Sequence, residues 1–164
     1  MTLDIKTVPT IVKSPWFCDY AEEVICRDDI VIEHVFIPVR GLNAAAESRR
    51  HVFKSSVSNL PFVSRLKQMI RPRKLGGGLW HTRSSKQGRQ EEILLRQIYK
   101  LMLAISDTTV PVTFMRYPRI IKDSQYLIDK LKPVLGNITY KSFCSVFSKT
   151  VRPELVHSFD KNDY

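Results

Sequence analysis

The stretch HVFIPVRGLNAAAESRRHVF, residues 34–53, changes from a strand pattern to a helix pattern within two residues. Its first part is apolar and contains β-branched residues, which is typical of a strand covered on both faces. Its second part is rich in alanine, the strongest helix former. Arg40 stands at the change, and Ser48 lies eight residues later on the predicted helix. The stretch therefore predicts one βα unit with an arginine at its turn.

The alternation of strand and helix patterns continues on both sides of this unit. Apolar runs predict strands near residues 8–13, 31–38 and 110–116. Alternating β and α elements favour an α/β fold, a three-layer sandwich whose short, mostly parallel sheet is flanked by helices. The helices are predicted over SPWFCDYAEEVICRD, GLNAAAESRRHVF, RQEEILLRQIYKLMLAIS, DSQYLIDKLKPVLG and TYKSFCSVFSKTV, with a further helix near residues 60–70.

Composition limits the class of protein. The chain has 164 residues, 43% of them hydrophobic, which predicts a single domain over residues 1–164. Its 26 Lys and Arg against 16 Asp and Glu give a net charge of +10, which favours an anionic partner such as nucleic acid or a phosphorylated small molecule. Three cysteines without Cys-x-x-Cys spacing indicate reduced thiols, no metal site and a cytoplasmic location. No apolar run has the length of a signal peptide or a membrane span.

Basic residues stand at the ends of the predicted strands. Ligands of parallel α/β sheets bind outside the carboxyl ends of the strands, where the sequence has Lys13, Arg40 and Arg116. A guanidinium can bind a phosphate through two parallel hydrogen bonds, and a serine on the following helix can add another. We therefore predict a phosphate site of Arg40 and Ser48 with Lys13 nearby. The plainer interpretation is a loop arginine and a solvated helix serine.

Three segments resemble the sulfotransferase family and occur in the family's order. VFIPVRGLNAAAESRR, residues 35–50, is similar to the segment that binds a 3′-phosphate, and Arg40 and Ser48 match its arginine and serine. IVKSPWF, residues 11–17, is similar to the strand, lysine and turn that precede that segment. VPVTFMRYPRIIKDSQYLIDKLKPVLG, residues 110–136, resembles a late strand and helix of the family.

The resemblance implies a P-loop NTPase-like fold and a known reaction. The reaction is transfer of a sulfonate group from 3′-phosphoadenosine 5′-phosphosulfate (PAPS) to a hydroxyl or amine of a carbohydrate or small molecule, without a metal. Arg40 and Ser48 would bind the cofactor, and Lys13 would be the catalytic cation beside the bridging oxygen. No phosphosulfate loop precedes Thr7, so a domain truncated at its N-terminus and without activity is a further expectation. Pro15 stands where many members have a catalytic histidine.

The alternative function is non-catalytic binding of nucleic acid or another polyanion. The basic segment 65–89 would form that surface. Proteins that bind single strands combine basic side chains with exposed aromatic rings along one face. The arginines at strand ends favour the sulfotransferase interpretation instead.

Overall fold

A computed structural model describes residues 11–15, 17–58 and 89–156. Over these residues the chain is a mixed α/β structure with a two-stranded parallel sheet, which confirms the predicted α/β class. The elements are α1 (Phe17–Ile25), β1 (Val35–Val39), α2 (Leu42–Ser58), α3 (Arg89–Ser106), β2 (Val112–Arg116), α4 (Arg119–Lys122), α5 (Ser124–Leu135), α6 (Tyr140–Thr150) and a 3₁₀ turn (Pro153–Leu155).

The two strands place their carboxyl ends side by side. β1 and β2 run parallel, with Val39 opposite Arg116. Backbone hydrogen bonds extend the ladder by one residue at each end of β2: Val35 N donates to Pro111 O at 2.9 Å, and Tyr117 N donates to Val39 O at 2.7 Å. Parallel pairing of the predicted strands 31–38 and 110–116 is thus confirmed, although β1 begins four residues later than predicted.

A proline inside β1 fits the sheet because of this register. Residues of a strand alternate in the direction of their backbone groups. Val35 and Val39 form the ladder with β2, so the nitrogen of Pro38 faces the outer side of β1. The missing N–H of proline therefore removes no hydrogen bond between the strands.

The helices form two groups around small buried residues. α1 and α2 both pack against α3, while α4 and α5 pack against β2 and α6 packs against α5. Ala21 of α1 is buried, and Ala44 and Ala46 of α2 have no exposed surface. Alanine side chains allow close packing, so the alanine-rich composition that predicts α2 also lets this helix pack closely on its neighbours.

The last two long helices have capping residues at their ends. The Asp123 carboxylate accepts a hydrogen bond from Tyr126 N at 2.9 Å and caps α5. Gly136 ends α5 with φ +57°, a left-handed conformation that glycine adopts without strain. Thr139 caps α6 by accepting from Ser142 N at 3.3 Å. The predicted helices over residues 123–136 and 139–151 are confirmed within one or two residues.

The predicted first strand is wrong over the part that the structure describes. Residues 11–13 form no strand, and the Ile11 and Val12 side chains are 88% and 70% exposed. An apolar run becomes a strand only where a neighbour accepts its hydrogen bonds and covers its side chains, and the described part of the chain supplies neither to residues 11–13. Residues 8–10 and the predicted helix near 60–70 lie outside the described residues.

Within the ranges given above, no helix combines the length and the hydrophobicity needed to cross a bilayer. The three cysteines are free thiols, with Cys18 buried, Cys144 half-buried and Cys26 exposed. Burial raises the pKa of the Cys18 thiol.

Candidate phosphate site at the carboxyl edge of the sheet

A two-residue turn brings Arg40 to the carboxyl edge of the sheet. β1 ends at Val39 and α2 begins at Leu42, so Arg40 and Gly41 alone connect them. Ala45 N donates to Gly41 O at 2.9 Å, which starts the hydrogen-bond ladder of α2 at this turn. The first N–H groups of a helix have no partner within the helix and favour an anion. A guanidinium beside such a helix start suits a phosphate group.

Tyr117 lies beneath the guanidinium of Arg40. The Arg40 Cζ atom is 5.1 Å from the centre of the Tyr117 ring, within the range of a cation–π contact. Val39 is opposite Arg116 at the carboxyl ends of the two strands, and Arg40 and Tyr117 are the residues that directly follow them. The register of the sheet therefore produces this contact.

Ser48 lies in the second turn of α2 and is half-buried. Ala44, one turn earlier on the same side of the helix, is completely buried. The next two residues, Arg49 and Arg50, both hydrogen-bond to side chains of α3. The convergence of Ser48 and Arg40 on one phosphate stays a prediction.

Lys13 is not at the end of a strand, contrary to the sequence prediction. It is exposed and lies in the irregular segment before α1. The absence of a strand over residues 11–13 removes the geometric reason that placed Lys13 beside the sheet. Its location near the predicted phosphate rests on the resemblance alone.

Arg116 ends β2 as predicted but lies on a different face from Tyr117. Successive strand residues alternate between the two faces of a sheet, and Arg116 directly precedes Tyr117. The Arg116 side chain is exposed, and its backbone N–H donates to Tyr126 Oη at 2.8 Å. The structure therefore brings Arg40 and Tyr117 together and separates Arg116, the arginine at the end of β2, from them.

Arg119 forms an ion pair with the carboxylate of Asp123. Its Nε donates to Asp123 Oδ2 at 3.0 Å, and its guanidinium lies 4.3 Å from the centre of the Tyr126 ring. The pKa of Asp123 is lowered, first by the hydrogen bond from Tyr126 N and then by Arg119. The guanidinium of Arg119 is thus paired with a carboxylate four residues later on the chain.

Tyr117 is the site residue that the sequence interpretation did not select. The signal was present, because Tyr117 follows the last residue of the predicted strand 110–116. Identifying its role requires the pairing of that strand with β1 and its register, which the sequence pattern does not specify.

In the parts of the chain that the structure describes, no group of three or more His, Cys, Asp or Glu side chains could hold a metal ion. Residues 65–88 of the basic segment proposed for nucleic acid lie outside those parts. Comparisons with protein-family models, curated proteins and solved structures find no match to this chain.

Proposed function

We propose that this chain is a sulfotransferase-like domain that binds the 3′-phosphate of PAPS, or of its product adenosine 3′,5′-bisphosphate, at the turn between β1 and α2. The observation that supports this proposal is the position of Arg40, which follows a parallel strand directly and stands beside the start of α2. The proposal includes a P-loop NTPase-like arrangement of layers, which is consistent with the parallel pair β1 and β2.

The chemistry of the turn suits a phosphate monoester, which carries a charge between about −1.5 and −2 at neutral pH. In the proposed complex the two outer nitrogens of Arg40 donate to two phosphate oxygens. The hydroxyl of Ser48 donates to a third oxygen. A charge-assisted contact of this type contributes about 1.5 to 3 kcal/mol.

The proposed reaction is sulfonate transfer from PAPS to a hydroxyl or amine acceptor. The acceptor oxygen or nitrogen attacks sulfur, the bond from sulfur to the bridging phosphate oxygen breaks, and adenosine 3′,5′-bisphosphate leaves. The acceptor proton passes to a base, which Pro15 cannot be. Lys13, by resemblance, is the cation that stabilises the charge on the bridging oxygen as it leaves.

Titration calorimetry with adenosine 3′,5′-bisphosphate tests the binding proposal. We expect Arg40→Ala to weaken binding by about ten- to a hundred-fold, because the variant removes the charged contact to the 3′-phosphate. Arg96→Ala is the matched control. Arg96 is 78% exposed on α3 and paired with Glu92, so its removal changes the net charge equally and leaves the affinity unchanged.

A second ligand in the same experiment separates the two functional classes. A nucleic-acid surface spreads its affinity over many Lys and Arg contacts, which makes binding strongly dependent on salt and insensitive to one substitution. Binding of a short single-stranded oligonucleotide that weakens steeply with salt and ignores Arg40→Ala, without binding of the bisphosphate, would contradict the proposal.

A further inference from the structure

We infer that Tyr117 is a positioning residue that holds the Arg40 guanidinium in the orientation that receives the 3′-phosphate. The inference rests on the proposed function. It starts from the 5.1 Å separation between Arg40 Cζ and the centre of the Tyr117 ring. A guanidinium that lies over an aromatic ring keeps its charge and its N–H donors, while the ring limits the orientations that the side chain adopts.

The backbone of Tyr117 is hydrogen-bonded to β1, the strand that Arg40 directly follows. Tyr117 N donates to Val39 O at 2.7 Å, and Val39 directly precedes Arg40. Tyr117 is half-buried and Pro118, which follows it, is buried. A backbone hydrogen bond and a buried neighbour therefore hold the backbone of Tyr117 in place beside the turn, and the ring projects from this fixed point.

Restricting the arginine before the ligand arrives increases affinity. A long side chain that is free in solution loses conformational freedom when it binds, and this loss opposes binding. The contact with Tyr117 limits that freedom in the unbound protein. Removal of the ring should lower the affinity only for ligands whose binding depends on Arg40.

Two nucleotides, two substitutions of Tyr117 and an Arg40→Ala background test this role. Adenosine 3′,5′-bisphosphate has the phosphate assigned to Arg40, and adenosine 5′-monophosphate lacks it. We expect Tyr117→Leu to weaken binding of the bisphosphate about two- to five-fold and to leave the monophosphate unchanged. Tyr117→Phe keeps the ring and should keep both affinities. In an Arg40→Ala background, Tyr117→Leu should have no further effect on either nucleotide.

A measurement without ligand tests the contact in the free protein. The Tyr117 ring current should displace the Arg40 side-chain resonances in the wild type, and Tyr117→Leu should return them toward values of a solvated arginine. Circular dichroism and the melting temperature verify that each variant is folded. Resonances that do not change between wild type and Tyr117→Leu would overturn the positioning role.

The other outcomes separate this inference from the proposed function. Equal weakening of both nucleotides by Tyr117→Leu would show that the ring contacts the nucleotide itself, and would overturn the positioning role alone. A loss of affinity with Tyr117→Phe would assign the effect to the hydroxyl and would also overturn it. Failure of the wild type to bind the bisphosphate would reject the proposed function and this inference together.

Discussion

Arg50 shows how a charged side chain can join two helices of this fold. It donates to both carboxylate oxygens of Glu91 on α3, at 2.6 and 3.1 Å, and to Glu47 on its own helix at 3.1 Å. The Arg50 and Glu91 side chains are only 10% and 14% exposed. The hydrogen bonds to Glu91 hold the pKa of Arg50 above its usual range. Removing one partner of such a pair leaves the other charge poorly solvated.

We expect Arg50→Ala to lower the free energy of unfolding by about 2 kcal/mol, because Glu91 then lacks its cation in a mostly buried position. Urea denaturation measures the change. Arg96→Ala, on the same helix as Glu91, removes an exposed pair with Glu92 and should cost about 0.5 kcal/mol or less. Equal losses of unfolding free energy for the two variants would show that the buried Arg50–Glu91 pair stabilises the fold no more than an exposed pair does.

The places of residues that depend on the local sequence pattern were predictable. Contacts between residues far apart in the sequence were not. The position of Arg40 between a strand and a helix was predictable because a strand pattern and a helix pattern meet at this residue. Arg50 and Glu91 are 41 residues apart, and no pattern indicates that they pair. Lys13 was placed at a strand end by an apolar run that has no partner strand in the described structure.

At the scale of elements, the helices with a clear apolar stripe were predicted well. The apolar run 8–13 was predicted wrongly as a strand over its described residues, 11–13. The predicted helix RQEEILLRQIYKLMLAIS has the same bounds as α3, Arg89–Ser106. Its apolar stripe and the acidic Glu91 and Glu92 in its first turn are local signals. A strand depends on a partner elsewhere in the chain, so the run 8–13 carried a weaker signal than its composition indicated.

The outer edges of the two-stranded sheet each have a feature that opposes addition of another strand. On β1, Pro38 has no N–H to offer at the outer edge. On β2, the N–H of Arg116 is already bonded to Tyr126 Oη of α5 at 2.8 Å. Both features follow from the register of β1 with β2, which is why the sequence alone does not reveal them.

The cap of α5 predicts a dependence of stability on pH. The folded protein lowers the pKa of Asp123, so its carboxylate stabilises the fold above the unfolded value near 3.8, and this contribution is lost as the pH falls through the folded pKa. We expect Asp123→Ala to lower the melting temperature at neutral pH, with a difference from wild type that shrinks in acid. Thermal denaturation, measured from pH 7 down to the lowest pH at which the protein is still folded, gives the difference.

Thr139→Ala is the matched control for that cap. Thr139 caps the next helix, α6, with a hydroxyl that does not titrate in this range. Its effect on the melting temperature should stay constant while that of Asp123→Ala declines. Parallel behaviour of the two variants over the whole pH range would show that the charge of Asp123 contributes nothing to the cap.

At the scale of the whole molecule, the net charge of +10 attracts anions in general, whereas the site that we propose at the turn after β1 would bind one kind, a phosphate monoester. Net charge acts over distance and falls with added salt. The turn after β1 instead combines one guanidinium, one aromatic ring and one helix start in a fixed geometry. A specific phosphate site should therefore be distinguishable from general attraction by where the ligand binds.

Backbone amide spectra of ¹⁵N-labelled protein during titration with adenosine 3′,5′-bisphosphate locate the ligand directly. The account predicts that the largest shifts occur at Arg40, Gly41, the first turn of α2 and Tyr117, and that they saturate at one ligand per chain. In Arg40→Ala the shifts at Gly41, the first turn of α2 and Tyr117 should need about ten- to a hundred-fold more ligand to reach the same size. Small shifts distributed over exposed lysines of α5 and α6, or a dominant response far from the turn between β1 and α2, would contradict a phosphate site at the carboxyl edge of this sheet.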